Sequence, residues 1–155
     1  DELQALYDDA AAALSALLHL ADSARWHVGL GIGPVDLPLG DSVRESTGPA
    51  FVAARDAVTR AKDHGAPVVS GNEWAERTGI VLDLVCAVRD RRTDAGARAA
   101  ALADDGQTQQ QMATSLGIAQ SSVSRRLAAA LWHEEHAVRE TLVALLDLAD
   151  QGRDS

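Results

Sequence analysis

The 155-residue chain has one cysteine, one methionine, one phenylalanine and one tyrosine. With Cys86 alone, no internal disulfide can form, and a reducing, cytoplasmic setting is expected. Cys86 ends the run Ile80-Val-Leu-Asp-Leu-Val-Cys86, which suggests buried packing rather than a nucleophile. No stretch of 18 apolar residues is present, so no membrane partner is expected, and no signal peptide is visible. Few aromatics beside much Ala and Leu favour helices. The length allows one domain with a good core or two small ones. The chain opens at Asp1 without an initiator Met, and its first residues read as the middle of an element, so an upstream segment is expected.

Basic charge is also scarce. The net charge is −9, which argues against indiscriminate nucleic-acid binding. The distribution is uneven, however. From Gly106 to His133 there are two arginines and no acid, and from Arg89 to His133 six arginines stand against four aspartates. An acidic body with a mildly basic stretch would bind random DNA weakly and would need dimerisation for useful affinity.

That stretch holds the most informative pattern. Gln107 to Leu127 reads as two short helices joined by a turn at Gly117. Thr108 and Gln111 fit a capping box. Gly117 sits where a helix ends and the backbone needs positive φ, and Ile118 plugs the angle that follows. Met112, Ala113, Leu116, Ile118, Val123 and Leu127 are spaced to bury one face. At 100° per residue Ala130 joins that side, while Ser121 and Arg125 lie opposite. The pattern resembles helix-turn-helix regulators over residues 95–131, in which the second helix enters the major groove of double-stranded DNA. The expected base contacts are Ser121, Ser122 and Arg125, the last suited to a guanine edge. Gln120, Ser124 and Arg126 would position the backbone, and Gln120 would alternatively read an adenine. Thr108 and Gln109, at the start of the first helix, complete the DNA-binding set. Ala119 stands where Ser or Thr commonly caps the second helix, a loss of about 1 kcal/mol. The plain alternative is an ordinary pair of packed helices.

Other elements follow from periodicity. Asp1 to Ala24 reads as helical after its first few residues, with a stripe of Leu6, Ala10, Leu14, Leu17, Leu18 and Ala21. Trp26 to Gly33 reads as a strand, Pro34 to Thr47 as a loop with room for a short hairpin, and Gly48-Pro49 opens a helix to about His64. Pro67 to Ser70 reads as a strand, Asn72 to about Arg91 as a helix, and Asp94 to Ala103 as the helix before the helix-turn-helix. From Gln120 to Gln151 no Gly or Pro intervenes. One helix there would be roughly 47 Å long, and a break near Trp132 is the alternative. Leu131, Val138, Leu142 and Leu145, with Ala149, approximate a heptad seam, either for a homodimer or for packing on the chain's own domain.

Three segments of the first half carry a further likeness. Asp1-Glu-Leu-Gln-Ala5, Trp26-His-Val-Gly-Leu-Gly-Ile-Gly33 and Gly48-Pro-Ala-Phe-Val-Ala-Ala-Arg55 with its continuation to Lys62 resemble SatD-family proteins, which commonly carry a helix-turn-helix after this region. The region also looks like a remnant of the class III nucleotidyl cyclase fold, a ferredoxin-like sandwich. Ala53-Ala54-Arg55 and Val68-Val69-Ser70 match that pattern. Phe51 replaces the cyclase Asn four positions before the Arg, removing a polar group needed in the transition state. One metal-binding Asp of the pattern belongs to a strand preceding this sequence. Asp1 lies in an acidic hairpin of the resemblance, and one carboxylate cannot hold two Mg²⁺ ions. The resemblance therefore implies a catalytically dead module that senses, dimerises or scaffolds, with a small molecule or nucleotide as effector.

Gly29, Gly31 and Gly33 recur along the first strand and are expected to face alternately in and out, serving close helix packing or a ligand over bare backbone. They form neither GxGxxG nor a P-loop. His133-Glu-Glu-His136 lacks zincin spacing and reads as a solvated face, with a shared metal as the alternative. His19, His27 and His64 are scattered, and Trp26 and Trp74 read as core or interface anchors. Trp132 falls on the outward side of a continued second helix, so it meets a partner or marks a bend. Arg89, Arg91 and Arg92 form an exposed charge run or contact phosphates. The expected fold is α+β, mostly α. A partial ferredoxin-like module at 1–78 precedes a helix-turn-helix and a long C-terminal helix at 79–155. The expected function is a dimeric, sequence-specific DNA-binding regulator without catalytic residues, metal or cofactor. A nucleotide-sensing or nucleotide-processing protein, with the helix-turn-helix making protein contacts, is the alternative.

Overall fold

Asp9 starts the first helix. Its carboxylate accepts the Ala12 N–H at 2.6 Å, and α1 runs Ala10–Asp22. The computed structural model describes residues 2–23 and 25–152. Leu14, Leu17 and Leu18 form the buried face of α1, while Leu6 precedes the helix and is exposed. Asp1 and Ala24, the expected limits of that helical stretch, lie outside the described residues.

The strands are shorter than the sequence suggests. β1 (Gly29–Gly31) and β2 (Val68–Ser70) pair in parallel, with Gly29 opposite Val68 and Gly31 opposite Ser70. Between them the chain makes a single 3₁₀ turn at Val43–Glu45 and then α2 (Pro49–His64), with Pro at its first turn. The loop before α2 holds no hairpin among the described residues; it is closed by Asp36 N–H donating to Thr47 O at 2.9 Å and Thr47 Oγ1 donating to Asp36 Oδ2 at 2.8 Å. Parallel neighbours need such a crossover, and α2 supplies it. Among the described residues the sheet is this one βαβ unit.

The glycines of β1 show why α2 lies so close. A Cβ on Gly31 would fall 2.1 Å from Ala54 N, one on Gly29 2.2 Å from Val58 N, and one on Gly33 3.1 Å from Ala50 N. The expectation that the three face alternately in and out is corrected here. Strand side chains repeat every two residues, so positions 29, 31 and 33 share one face, and that face is against the α2 backbone.

After β2, Asn72 caps α3 (Glu73–Asp90): its Oδ1 accepts Ala75 N–H at 3.1 Å, and its Nδ2 donates to Ala149 O at 2.7 Å. Then come α4 (Asp94–Asp104), capped by Thr93, α5 (Gln109–Leu116), α6 (Gln120–Ala129) and α7 (Trp132–Gln151). The described residues are thus mostly helical, with one two-stranded parallel sheet and a long last helix. No helix among them is long and apolar enough to cross a membrane.

The chain divides into two compact units, one from Asp1–Cys86 with Glu140–Ser155 and one from Ala87–Arg139. The boundary expected after residue 78 falls inside α3, and the end of α7 belongs with the first unit. In that first unit Leu142, Leu146 and Ala149 are buried.

Candidate nucleic-acid interface

The second unit builds its surface from local signals. Thr108 opens α5 with a complete capping box: its Oγ1 accepts Gln111 N–H at 3.3 Å, and Gln111 Oε1 accepts Thr108 N–H at 2.8 Å. Gly117 ends α5 at φ 64°, in the left-handed region, and Ile118 N–H returns to Ala113 O at 3.0 Å. The turn aims α6 across α4 and α5. Ala99, Met112, Ala113, Val123 and Leu127 form one buried core, with Leu102, Leu116, Ile118 and Trp132 packed against it. Gly96 lets α4 approach the end of α6, since a Cβ there would lie 3.2 Å from Ala130 Cβ.

The opposite side of α6 is polar. Gln120, Ser121, Ser124 and Arg125 are exposed, and Ser122 and Arg126 are half-buried. Thr108 is exposed and Gln109 half-buried at the start of α5. Arg125 Nη2 donates to Ser122 Oγ at 3.2 Å, which lays the guanidinium along the outer face. Ala119 caps α6 through its backbone alone. Ser122 and Val123 N–H both donate to Ala119 O, at 2.9 and 3.2 Å, while the cap residue offers no side-chain acceptor, a start suited to a phosphate oxygen. No acid occurs between Gly106 and His133, so this face carries only positive side-chain charge.

A buried ion cluster, which the sequence reading missed, holds the scaffold. Glu135 is 3% exposed. Its Oε1 accepts from Arg89 Nη1 at 2.9 Å and Arg139 Nε at 2.7 Å; its Oε2 accepts from Arg139 Nη2 at 2.6 Å and Arg92 Nη2 at 3.3 Å. Arg139 also reaches Asp104 at 2.9 Å, Trp132 Nε1 donates to Asp104 at 2.8 Å, and Arg92 Nε donates to Ala130 O at 2.9 Å. Burial pushes the Glu135 carboxyl up. The hydrogen bonds and charge of Arg139, with Arg89 and Arg92, outweigh this and hold it below the ordinary carboxylate range. Burial works against the Arg139 charge, and Glu135 and Asp104 together raise its pKa.

The cluster revises two expectations. Arg89 and Arg92 are neither an exposed run nor phosphate contacts, because their side chains are 9% and 5% exposed and committed to Glu135; Arg91 alone of the three is exposed. The His133–His136 segment is not wholly solvated either. His133 and His136 are exposed, Glu135 is buried between them in sequence, and the His136 ring stacks on Trp132 at 4.8 Å. Among the described residues no group of three or more His, Cys, Asp or Glu is placed to hold a metal.

Trp132 marks a bend. Leu131 takes φ 50°, unusual for a branched residue, and separates α6 from α7. The single helix from Gln120 to Gln151 is therefore absent. The four seam residues do not share an exposed stripe: Leu131 is exposed in the bend, Val138 and Leu145 are half-buried, and Leu142 is fully buried. Burial of Leu142 within the chain corrects its assignment to a dimer seam.

In the first unit, Arg55 is exposed, and Ala53 and Ala54 lie half-buried on α2. Ser70 Oγ donates to Asp56 Oδ2 at 3.0 Å, and Arg60 bridges Asp56 and Glu76 at 3.2–3.3 Å. These groups satisfy one another. No protein-family model, curated protein or solved structure matches this chain.

Proposed function

We propose that this chain is a sequence-specific DNA-binding transcriptional regulator, working in the cytoplasm, with α6 lying in the major groove. The observation that carries the reading is the outer face of α6: exposed, free of acids and mounted on a close-packed three-helix core. Small side chains at Ser121 and Ser124 permit close approach of the helix to the duplex. Arg125 offers a planar pair of donors to guanine O6 and N7, while Gln120, Arg126, Thr108 and Gln109 flank it as backbone contacts. The net charge of −9 keeps binding to random sequence weak, so discrimination rests on base contacts. The first unit, on its likeness to SatD-family proteins, is assigned a sensing or scaffolding role rather than catalysis.

Arg125→Ala tests the reading. Affinity for the cognate duplex is expected to fall by about 1–3 kcal/mol, roughly 5- to 150-fold, with relaxed choice at one base pair. Gel-shift titration against the cognate duplex and its single-base variants measures both effects. An unchanged base preference would remove Arg125 from the reading surface.

A further inference from the structure

We propose that the open edge of β1 takes up an extended peptide from a partner protein, added as a further strand, with apolar side chains in alternation and basic residues at its ends. The proposal stands on the first unit alone and does not rest on the DNA reading.

α2 closes one face of β1, but the strand keeps an open edge. Val68 N–H donates to Val28 O at 3.1 Å, and Ile32 N–H donates to Ser70 O at 2.9 Å. With Gly29 opposite Val68 and Gly31 opposite Ser70, the even-numbered residues of β1 turn their peptide groups toward β2. The N–H and C=O of Gly29 and Gly31 therefore point the other way, and among the described residues no strand lies there to receive them. Such a row of main-chain donors and acceptors is a template for another strand.

The same edge borders a cavity of about 520 Å³. Gly29 to Gly33 line it and no residue of β2 does, which puts it on the open side. All of its lining belongs to the first unit. Leu6, Tyr7 and Leu39, which are 40%, 45% and 47% exposed, contribute apolar wall together with Phe51. Alternate side chains of an added strand would remove that surface from water, while its backbone meets the two glycines.

Charge selects the occupant. The lining holds four aspartates and no Lys, Arg or His. Asp9 caps α1, while Asp8 and Asp147 are exposed. A second copy of the chain would bring the same aspartates against these, so self-pairing of β1 is opposed by like charge. A basic end on the incoming segment is attracted instead. A small organic cation would meet the charge but leave the glycine peptide groups without a strand to pair with.

Amide NMR of the full chain, titrated with capped heptapeptides, tests this. The probe alternates valine and threonine between terminal lysines. One control carries terminal glutamates, and another carries N-methyl groups on its valine and threonine amides. The lysine probe is expected to shift the Gly29 and Gly31 amide signals and to slow their hydrogen exchange. Both controls are expected to bind about tenfold or more weakly. Asp147→Lys, at an exposed position and with an unchanged circular dichroism spectrum, is expected to weaken the lysine probe and strengthen the glutamate control. A lysine probe that leaves the two glycine amides unmoved, or binding indifferent to Asp147→Lys, would overturn the proposal. Equal binding of the N-methylated control would leave a cation site without strand addition and overturn it too. So would slow exchange at Gly29 and Gly31 without peptide that rises with protein concentration, which would seat a second copy at the edge. Each of these outcomes leaves the DNA reading intact.

Discussion

Replacing Glu135 with Ala is expected to destabilise the second unit by about 3–5 kcal/mol, the range for breaking a buried ion pair from one side. The loss arises from what remains. Arg89, Arg92 and Arg139 would keep buried or half-buried charges with their shared acceptor gone. The same carboxylate links α7 to the segment between α3 and α4, and Arg139 carries the linkage on to Asp104 at the end of α4. Denaturant unfolding followed by Trp132 fluorescence, in a chain with Phe at positions 26 and 74, measures the effect. Glu134→Ala, on the same turn but exposed, is expected to stay within about 0.5 kcal/mol of its parent. The pH dependence has a definite sign. Because the folded chain holds the Glu135 carboxyl below its ordinary value, its contribution is complete above the unfolded pKa and is lost as pH falls through the folded one. Wild type should therefore lose stability below about pH 4.5, and Glu135→Gln should show a shallower acid limb. Equal stability of Glu135→Ala and wild type would mean that the cluster is not what fixes the unit.

Gly31→Ala is expected to be the most damaging single-methyl change in the first unit. The added Cβ would stand 2.1 Å from Ala54 N and 2.3 Å from Ala50 O, both backbone atoms of α2 that cannot swing aside. Overpacking of this kind costs about 1–3 kcal/mol and sometimes more; with backbone on the far side, the upper end applies. Gly65→Ala is the natural control. Gly65 has φ 76° and nothing within 4 Å of a Cβ, so that change pays only backbone strain, about 1–2 kcal/mol. Thermal unfolding of the two variants should separate them, with Gly31→Ala melting lower. The reverse order would mean that β1 and α2 are not in direct contact, and would reopen the glycines of β1 as a ligand surface.

The parts of this molecule written in local signals were legible in its sequence. Thr108 with Gln111, Gly117 and the spacing of Met112, Val123 and Leu127 specify α5, the turn and α6 within a few residues of one another, and the structure uses each as expected. Gly48 and Pro49 did the same for the start of α2. What escaped depended on distant partners. Asp104, Arg92 and Glu135 are unremarkable charges until the fold brings them together. The bend at Leu131 was open in the sequence, as a break near Trp132 against one continuous helix, because no Gly or Pro decides between them; the bonds beside it, Arg92 to Ala130 O and Trp132 to Asp104, join residues distant in sequence. Leu142 matched a heptad because the period of a dimer seam and that of a helix buried in its own unit are nearly the same over three turns.

The central claim is that the side chains of α6 read base pairs. Selection of bound fragments from randomised duplexes by the full chain, at near-physiological salt, tests it most directly. The account predicts that one recurring motif containing a guanine is enriched by the wild type, and that Arg125→Ala loses the preference at that guanine. Recovered duplexes as diverse as the starting pool would contradict it.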